Sequence, residues 1–137
     1  MVARLNPYLN FDGNAREAME YYHTVFGGSL DVNTFGDFGA PDEALKDKIM
    51  HSQLEADNGF VLMGADLAPG MDFRPGNTIT VSLSGDDADA LRGYWGKLAD
   101  GGTVLTALEK QMWGDEFGMC LDRFGVQWLV NISQPQS

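Results

Sequence analysis

Cysteine is nearly absent from this chain. Cys120 is the only one in 137 residues, so no internal disulfide can form, and a reducing, cytoplasmic location is expected. Basic residues are scarce as well. Nine Lys and Arg face twenty Asp and Glu, for a formal net charge of −11. No run of Lys or Arg occurs, and without a basic stripe a nucleic-acid partner is not expected. Only two histidines are present, His23 and His51. No apolar run approaches the roughly 20 residues that span a bilayer, so no membrane partner is expected. The chain opens directly on a strand-like run, so no signal peptide is expected. What remains is 44% apolar and 21% charged, a composition able to bury a core, in the length of one ordinary domain.

The most informative pattern is a repeat. A helical segment ends in Gly27-Gly28, and a second ends in Gly101-Gly102, a little over half the chain later. Each follows an alternating run and precedes another (Ser29–Phe35, Thr103–Glu109). Such a duplication predicts two similar half-domains, about 1–70 and about 71–137, within a single domain spanning 1–137.

Local patterns fill in the halves. Leu5, Leu9 and Phe11 alternate with Asn6, Tyr8 and Asn10, which predicts a half-buried strand. Asp12-Gly13 makes a turn. Asn14, with Glu17 three residues on, resembles a capping box. Ala15, Ala18, Met19, Tyr22, Val25 and Phe26 then recur at helical spacing. Strands are predicted near Leu30–Phe35, Ile49–Ala56 and Phe60–Ala65, the last two joined by an Asp57-Asn58-Gly59 turn. Gly36 to Lys46 reads as a loop with one helical turn. Asp66 to Gly76, with Pro69 and Pro75, connects the halves. In the second half, Thr78, Thr80, Ser82 and Ser84 alternate with Ile79, Val81 and Leu83. Asp86 or Asp87 caps a helix carrying Leu91, Tyr94, Trp95 and Leu98. Strands follow near Thr103–Leu108, Phe117–Leu121 and Gln127–Ile132. Each half reads β-α-β-β-β.

The apolar face of each first strand must cover the helix of its own half. The polar face, with Tyr8, Asn10, Ser82 and Asn131, then looks away from the helix. His51 shares a strand face with Gln53 and Glu55. Such a face either meets solvent, as many antiparallel sheets do, or lines a site.

Two β-α-β-β-β modules resemble the vicinal oxygen chelate superfamily, which includes glyoxalase I, bleomycin-resistance proteins and extradiol dioxygenases. Narrower motifs open the chain: Asn6-Pro7-Tyr8-Leu9 and Phe11-Asp12-Gly13-Asn14. Ile49-Met50-His51, Trp113-Gly114 and Asp122-Arg123-Phe124-Gly125-Val126 follow, with Trp128 and Asn131. Jointly they resemble the PhnB-like branch, often labelled demethylubiquinone methyltransferase-like. The resemblance implies an α+β fold, two modules forming a curled mixed sheet with helices on its outer face, and a homodimer. The methyltransferase label finds no Gly-rich strand-to-helix loop to support it.

Metal-dependent members of the superfamily place His, Gln or Glu on the first and last strand of each module. Here those strands offer Tyr8, Asn6 and Asn10; Val61 and Met63; Thr80 and Ser82; Leu129 and Asn131. Neutral hydroxyls and amides bring too little charge to offset the dehydration of a divalent ion, so no metal or other cofactor is expected. The function expected is binding of a small organic molecule in a metal-free cleft between modules, lined by Tyr8, Asn10, His51, Ser82, Trp113 and Asn131. Tyr8 and His51 would supply directional hydrogen bonds, and Trp113 a stacking surface. The rival is a metal-dependent lyase, isomerase or dioxygenase-like enzyme, holding its ion with His51 and Glu55 or Asp66. Asp122-Arg123 reads more readily as a turn than as a substrate clamp. Cys120, among apolar strand neighbours, reads as core rather than nucleophile.

Overall fold

The computed structural model describes residues 3–39, 42–68 and 70–134. Pro69, expected in the connection between the halves, lies outside the described residues. The chain divides into two compact units after Arg74. The first contains β1 (Tyr8–Phe11), α1 (Ala15–Phe26), β2 (Ser29–Thr34), a 3-10 turn at Gly36–Phe38, β3 (Ile49–Glu55) and β4 (Val61–Asp66). The second contains β5 (Val81–Gly85), α2 (Ala88–Ala99), β6 (Thr103–Lys110), β7 (Glu116–Leu121) and β8 (Gln127–Ile132). Each is a four-stranded mixed sheet, ordered β1-β4-β3-β2 and β5-β8-β7-β6. In each, the first and last strands pair in parallel and the other pairs are antiparallel. The α+β class and the duplicated β-α-β-β-β module are both present.

The helical spacing read from the sequence is the buried face of α1. Ala15, Ala18, Met19, Tyr22, Val25 and Phe26 are all buried. They pack on the sheet with Phe11, Leu54 and Leu62, and a fully buried side chain of this size contributes roughly 2 kcal/mol. Gly64 lies under this helix: a Cβ there would fall 2.9 Å from the Met19 sulfur. In the second unit Leu91 and Leu98 anchor α2, and Gly118 leaves room for the Trp95 ring, 2.9 Å from where a Cβ would stand.

The repeated glycine pairs have one physical cause. Gly27 and Gly101 take positive φ (72° and 78°), which ends each helical run. Gly28 and Gly102 then pass so close to the neighbouring strand that a Cβ would meet the Glu55 and Leu121 carbonyl oxygens at 2.0 Å.

Several expectations are corrected. The first strand begins at Tyr8, because Pro7 has no N–H to donate, and Leu5 is 100% exposed rather than inward-facing. The fifth strand begins at Val81, because its partner β8 begins at Gln127 and offers nothing for Thr78 or Ile79 to pair with. Asn14 makes no side-chain cap. Its expected role falls to Asp66, whose Oδ1 accepts from the Ala15 N–H at 2.9 Å across 51 residues.

Candidate functional site

Directly paired residues in a sheet point to the same side, so the register sorts each face. In the first unit Leu9, Gly64 and Ser52 pair in one row and turn toward α1. The adjacent row, Tyr8, Met63, Gln53 and Asp31, turns away from it. Asn10, paired with Ala65, and His51, paired with Asn33, stand on this same helix-free face. The Tyr8 and His51 rings stack with centroids 5.9 Å apart and planes at 28°. Tyr8 is 46% exposed, and His51 is half-buried. Gln53 Nε2 donates to Glu55 Oε1 at 2.9 Å.

The second unit repeats the arrangement with other residues. Leu83, Val130 and Gly118 turn toward α2. Ser82, Leu129, Met119 and Thr106 form one helix-free row, and Ser84, Asn131, Phe117 and Glu109 the next. Asn131 Nδ2 donates to Asp115 Oδ2 at 3.1 Å. Trp113 is 62% exposed in the β6–β7 turn, where Gly114 holds a φ of 99°. It meets the Phe117 ring edge-on at 6.1 Å. Thr80 precedes the strand and is fastened through its hydroxyl, which accepts from Gln127 Nε2 at 2.7 Å.

The structure therefore brings Tyr8, Asn10 and His51 onto one face of the first sheet, and Ser82 and Asn131 onto the corresponding face of the second. Trp113 joins that second face through Phe117. Sequence reasoning placed Met63 on the fourth strand without making it a site residue, and missed the pairing of Met119 with Leu129 and the link from Asp115 to Asn131. Strand register exposes them, and register depends on turns whose lengths the pattern alone leaves open.

The buried carboxylates are engaged elsewhere. Asp66 pairs with Phe11 on the helix side, and its Oδ2 accepts from the Ile49 N–H at 2.8 Å. It thus stands on the opposite face from His51, and the two cannot share an ion. Asp122 accepts from the Phe124 and Val126 N–H groups and from the Trp128 indole at 2.8 Å. Arg123 turns away and donates to the Asp100 carbonyl at 3.0 Å. Asp122-Arg123 is a turn, as its sequence reads. Among the described residues, no three His, Cys, Asp or Glu side chains gather as ligands for one ion. His23, in α1, is half-buried and hydrogen-bonded through Nε2 to the Gly28 carbonyl oxygen at 2.7 Å.

Cys120 is fully buried, and burial, with the nearby Asp122 carboxylate, pushes its thiol up to about 11. That is the reverse of what a nucleophile needs. On the helix side, Arg92 Nη2 donates to Glu116 Oε1 at 2.6 Å, and this hydrogen bond holds the Glu116 carboxyl below its usual range.

The strand-to-helix turns are short and acidic. The first amide of α1 is taken by Asp66, and Asp87 Oδ1 accepts from the Ala90 N–H in the first turn of α2. At each helix start a carboxylate of the chain itself satisfies an amide of the first turn. No helix among the described residues is long and apolar enough to cross a membrane.

Comparison with known proteins gives a consistent picture. A family model described as 3-demethylubiquinone-9 3-methyltransferase matches residues 3–131. The chain is 34% identical to the uncharacterized protein Mb0911c of Mycobacterium bovis, covering 96% of this chain and 82% of that one. Among solved structures, protein PA1353 from Pseudomonas aeruginosa superposes with a TM-score of 0.87 at 38% identity, covering 98% of this chain and 100% of that one. The PhnB protein from Bacillus cereus shares the fold at 23% identity and a TM-score of 0.71, covering 96% and 100% of the two chains. A glyoxalase/bleomycin resistance protein/dioxygenase family enzyme from Burkholderia phytofirmans shares it at 16% identity and 0.60, covering 91% and 95%.

Proposed function

The chain belongs to the 3-demethylubiquinone-9 3-methyltransferase family, the PhnB-like branch of the vicinal oxygen chelate superfamily, and on that premise we propose that it binds a small organic molecule without a metal. The binding surface is the helix-free sheet face, whose groups are Tyr8, Asn10 and His51 in the first unit and Ser82, Trp113 and Asn131 in the second. The observation that carries this reading is the Tyr8–His51 stack, an aromatic pair on an accessible face beside the Asn10 amide and the Met63 thioether. Aromatic and thioether surface with a few directional polar groups is what small-molecule sites are made of. Trp113, Phe117 and Asn131 supply the same ingredients in the second unit. The protein works as a cytoplasmic homodimer.

A thermal-shift screen against small aromatic compounds tests this reading. Hits should stabilise the wild type and lose their effect in Tyr8→Ala and His51→Ala, whose side chains are not core. Hits that stabilise these variants as well as the wild type would place binding elsewhere. Near-stoichiometric divalent metal that disappears in His51→Ala would replace the proposal with the metal-dependent lyase or isomerase.

A further inference from the structure

The charges of this chain are distributed unevenly over its two sheets. Among the described residues, the eight strands carry one Lys or Arg, Lys110. Lys110 pairs with Glu116, which takes Arg92 of α2, so this group belongs to the helix side. The other cations sit off the strands. Arg4 precedes β1, Lys46 precedes β3, Arg16 and Lys97 lie on the helices, Lys48 reaches the Gly13 carbonyl, and Arg74 and Arg123 pair with Asp72 and Asp100. The helix-free strand positions carry the opposite charge: Asp31 and Glu55 in the first unit, and Glu109 in the second, where it pairs directly with Phe117.

Resting on the binding role proposed above, we propose that these faces select their ligand by charge, and that the ligand is an aromatic molecule bearing an ammonium group. Each face combines an aromatic pair (Tyr8–His51, Trp113–Phe117) with an amide and at least one carboxylate, and no helix-free strand position offers a guanidinium or ammonium to an anion. An aromatic face attracts a cation through its quadrupole, and neighbouring carboxylates add a field of the same sense. A ligand with a carboxylate, sulfonate or phosphate meets repulsion at the same positions, deepened by a net charge of −11.

Three probes of one shape test this: 1-naphthylmethylamine, 1-naphthylmethanol and 1-naphthylacetate, titrated into the full chain by calorimetry, with amide and indole NMR signals to locate them. At low salt and pH 7 the amine should bind at least about tenfold more tightly than the acetate. The alcohol should fall between them. The gap should close substantially by about 0.5 M salt, where screening is short-ranged. Glu109→Gln and Glu55→Gln should narrow it. An acetate that binds as tightly as the amine, with the alcohol perturbing Trp113, Asn131 or the Tyr8 strand, overturns charge selection and leaves the binding role standing. Failure of all three to perturb those residues overturns both.

Discussion

The two modules share a topology and a glycine pair, yet fix their helices and bury their carboxylates differently. In the first, Asp66 at the end of β4 reaches back 51 residues to the first amide of α1 and also accepts from Ile49. In the second, Asp87 caps α2 from the position just before it. The buried carboxylate there, Asp122, serves instead the turn between β7 and β8 and the Trp128 indole. The backbone geometry of the module is thus kept where strands pass closely, while the polar groups that fasten it are interchangeable in position. Close passage leaves no alternative to glycine, whereas an orphan amide N–H donates to any carboxylate that reaches it.

The sharpest way to break this comparison is to add a methyl group at each crossing. Gly28→Ala and Gly102→Ala should each destabilise by about 3 kcal/mol or more, since the new Cβ would meet a backbone oxygen that cannot move aside. Gly59→Ala is the control. It has positive φ but nothing within 4 Å, and should cost about 1–2 kcal/mol. Urea unfolding of the three variants measures the difference. If Gly28→Ala is no worse than Gly59→Ala, the shared crossing is not what constrains the repeat.

The carboxylates give the next largest effects. Asp122→Ala leaves three donors without this acceptor and should cost about 3 kcal/mol. Asp66→Ala leaves two and should cost about 2–3 kcal/mol. Asp87→Ala removes one exposed cap and should cost about 1 kcal/mol. Equal losses for Asp66 and Asp87 would erase the distinction between the two capping arrangements.

Cys120 probes the core of the second unit through pH. Its folded pKa is about 11, above the ordinary thiol value of 9.0. The unfolded chain therefore releases this proton first as pH rises. The stability linked to the thiol is complete below about pH 9 and is lost as pH climbs through about 11. Comparing wild type and Cys120→Ala by urea unfolding at pH 8 and pH 10.5 should show a steeper alkaline decline in the wild type. Alkylation at pH 8 should require unfolding. The Arg92–Glu116 pair should give the smallest effect because both ends reach solvent. The pair holds the Glu116 pKa down, so its contribution is present at neutral pH and fades as pH falls through that lowered value. Arg92→Ala should flatten that acidic decline in pH-dependent unfolding.

Much of this architecture is legible in the chain. The spacing of Ala15 through Phe26 marks the helix to the residue, and the two Gly-Gly pairs announce the duplicated module. The alternation at Tyr8 and Asn10 marks the helix-free face. What stayed hidden depends on distant partners. Asp66 reads equally as a turn former or a pocket acid because the amide it meets lies 51 positions away. The Thr78–Leu83 alternation runs longer than the strand because pairing length is set by β8. Phe117 reads as core from its hydrophobicity, and only its pairing with Asn131 shows that it faces away from α2.

The most direct test of the central claim is native mass spectrometry, with elemental analysis, of protein purified without chelator. An organic adduct that is lost in Tyr8→Ala and His51→Ala, with metal far below one per chain, is the predicted result. A divalent metal bound near one per chain and released by His51→Ala would contradict the account.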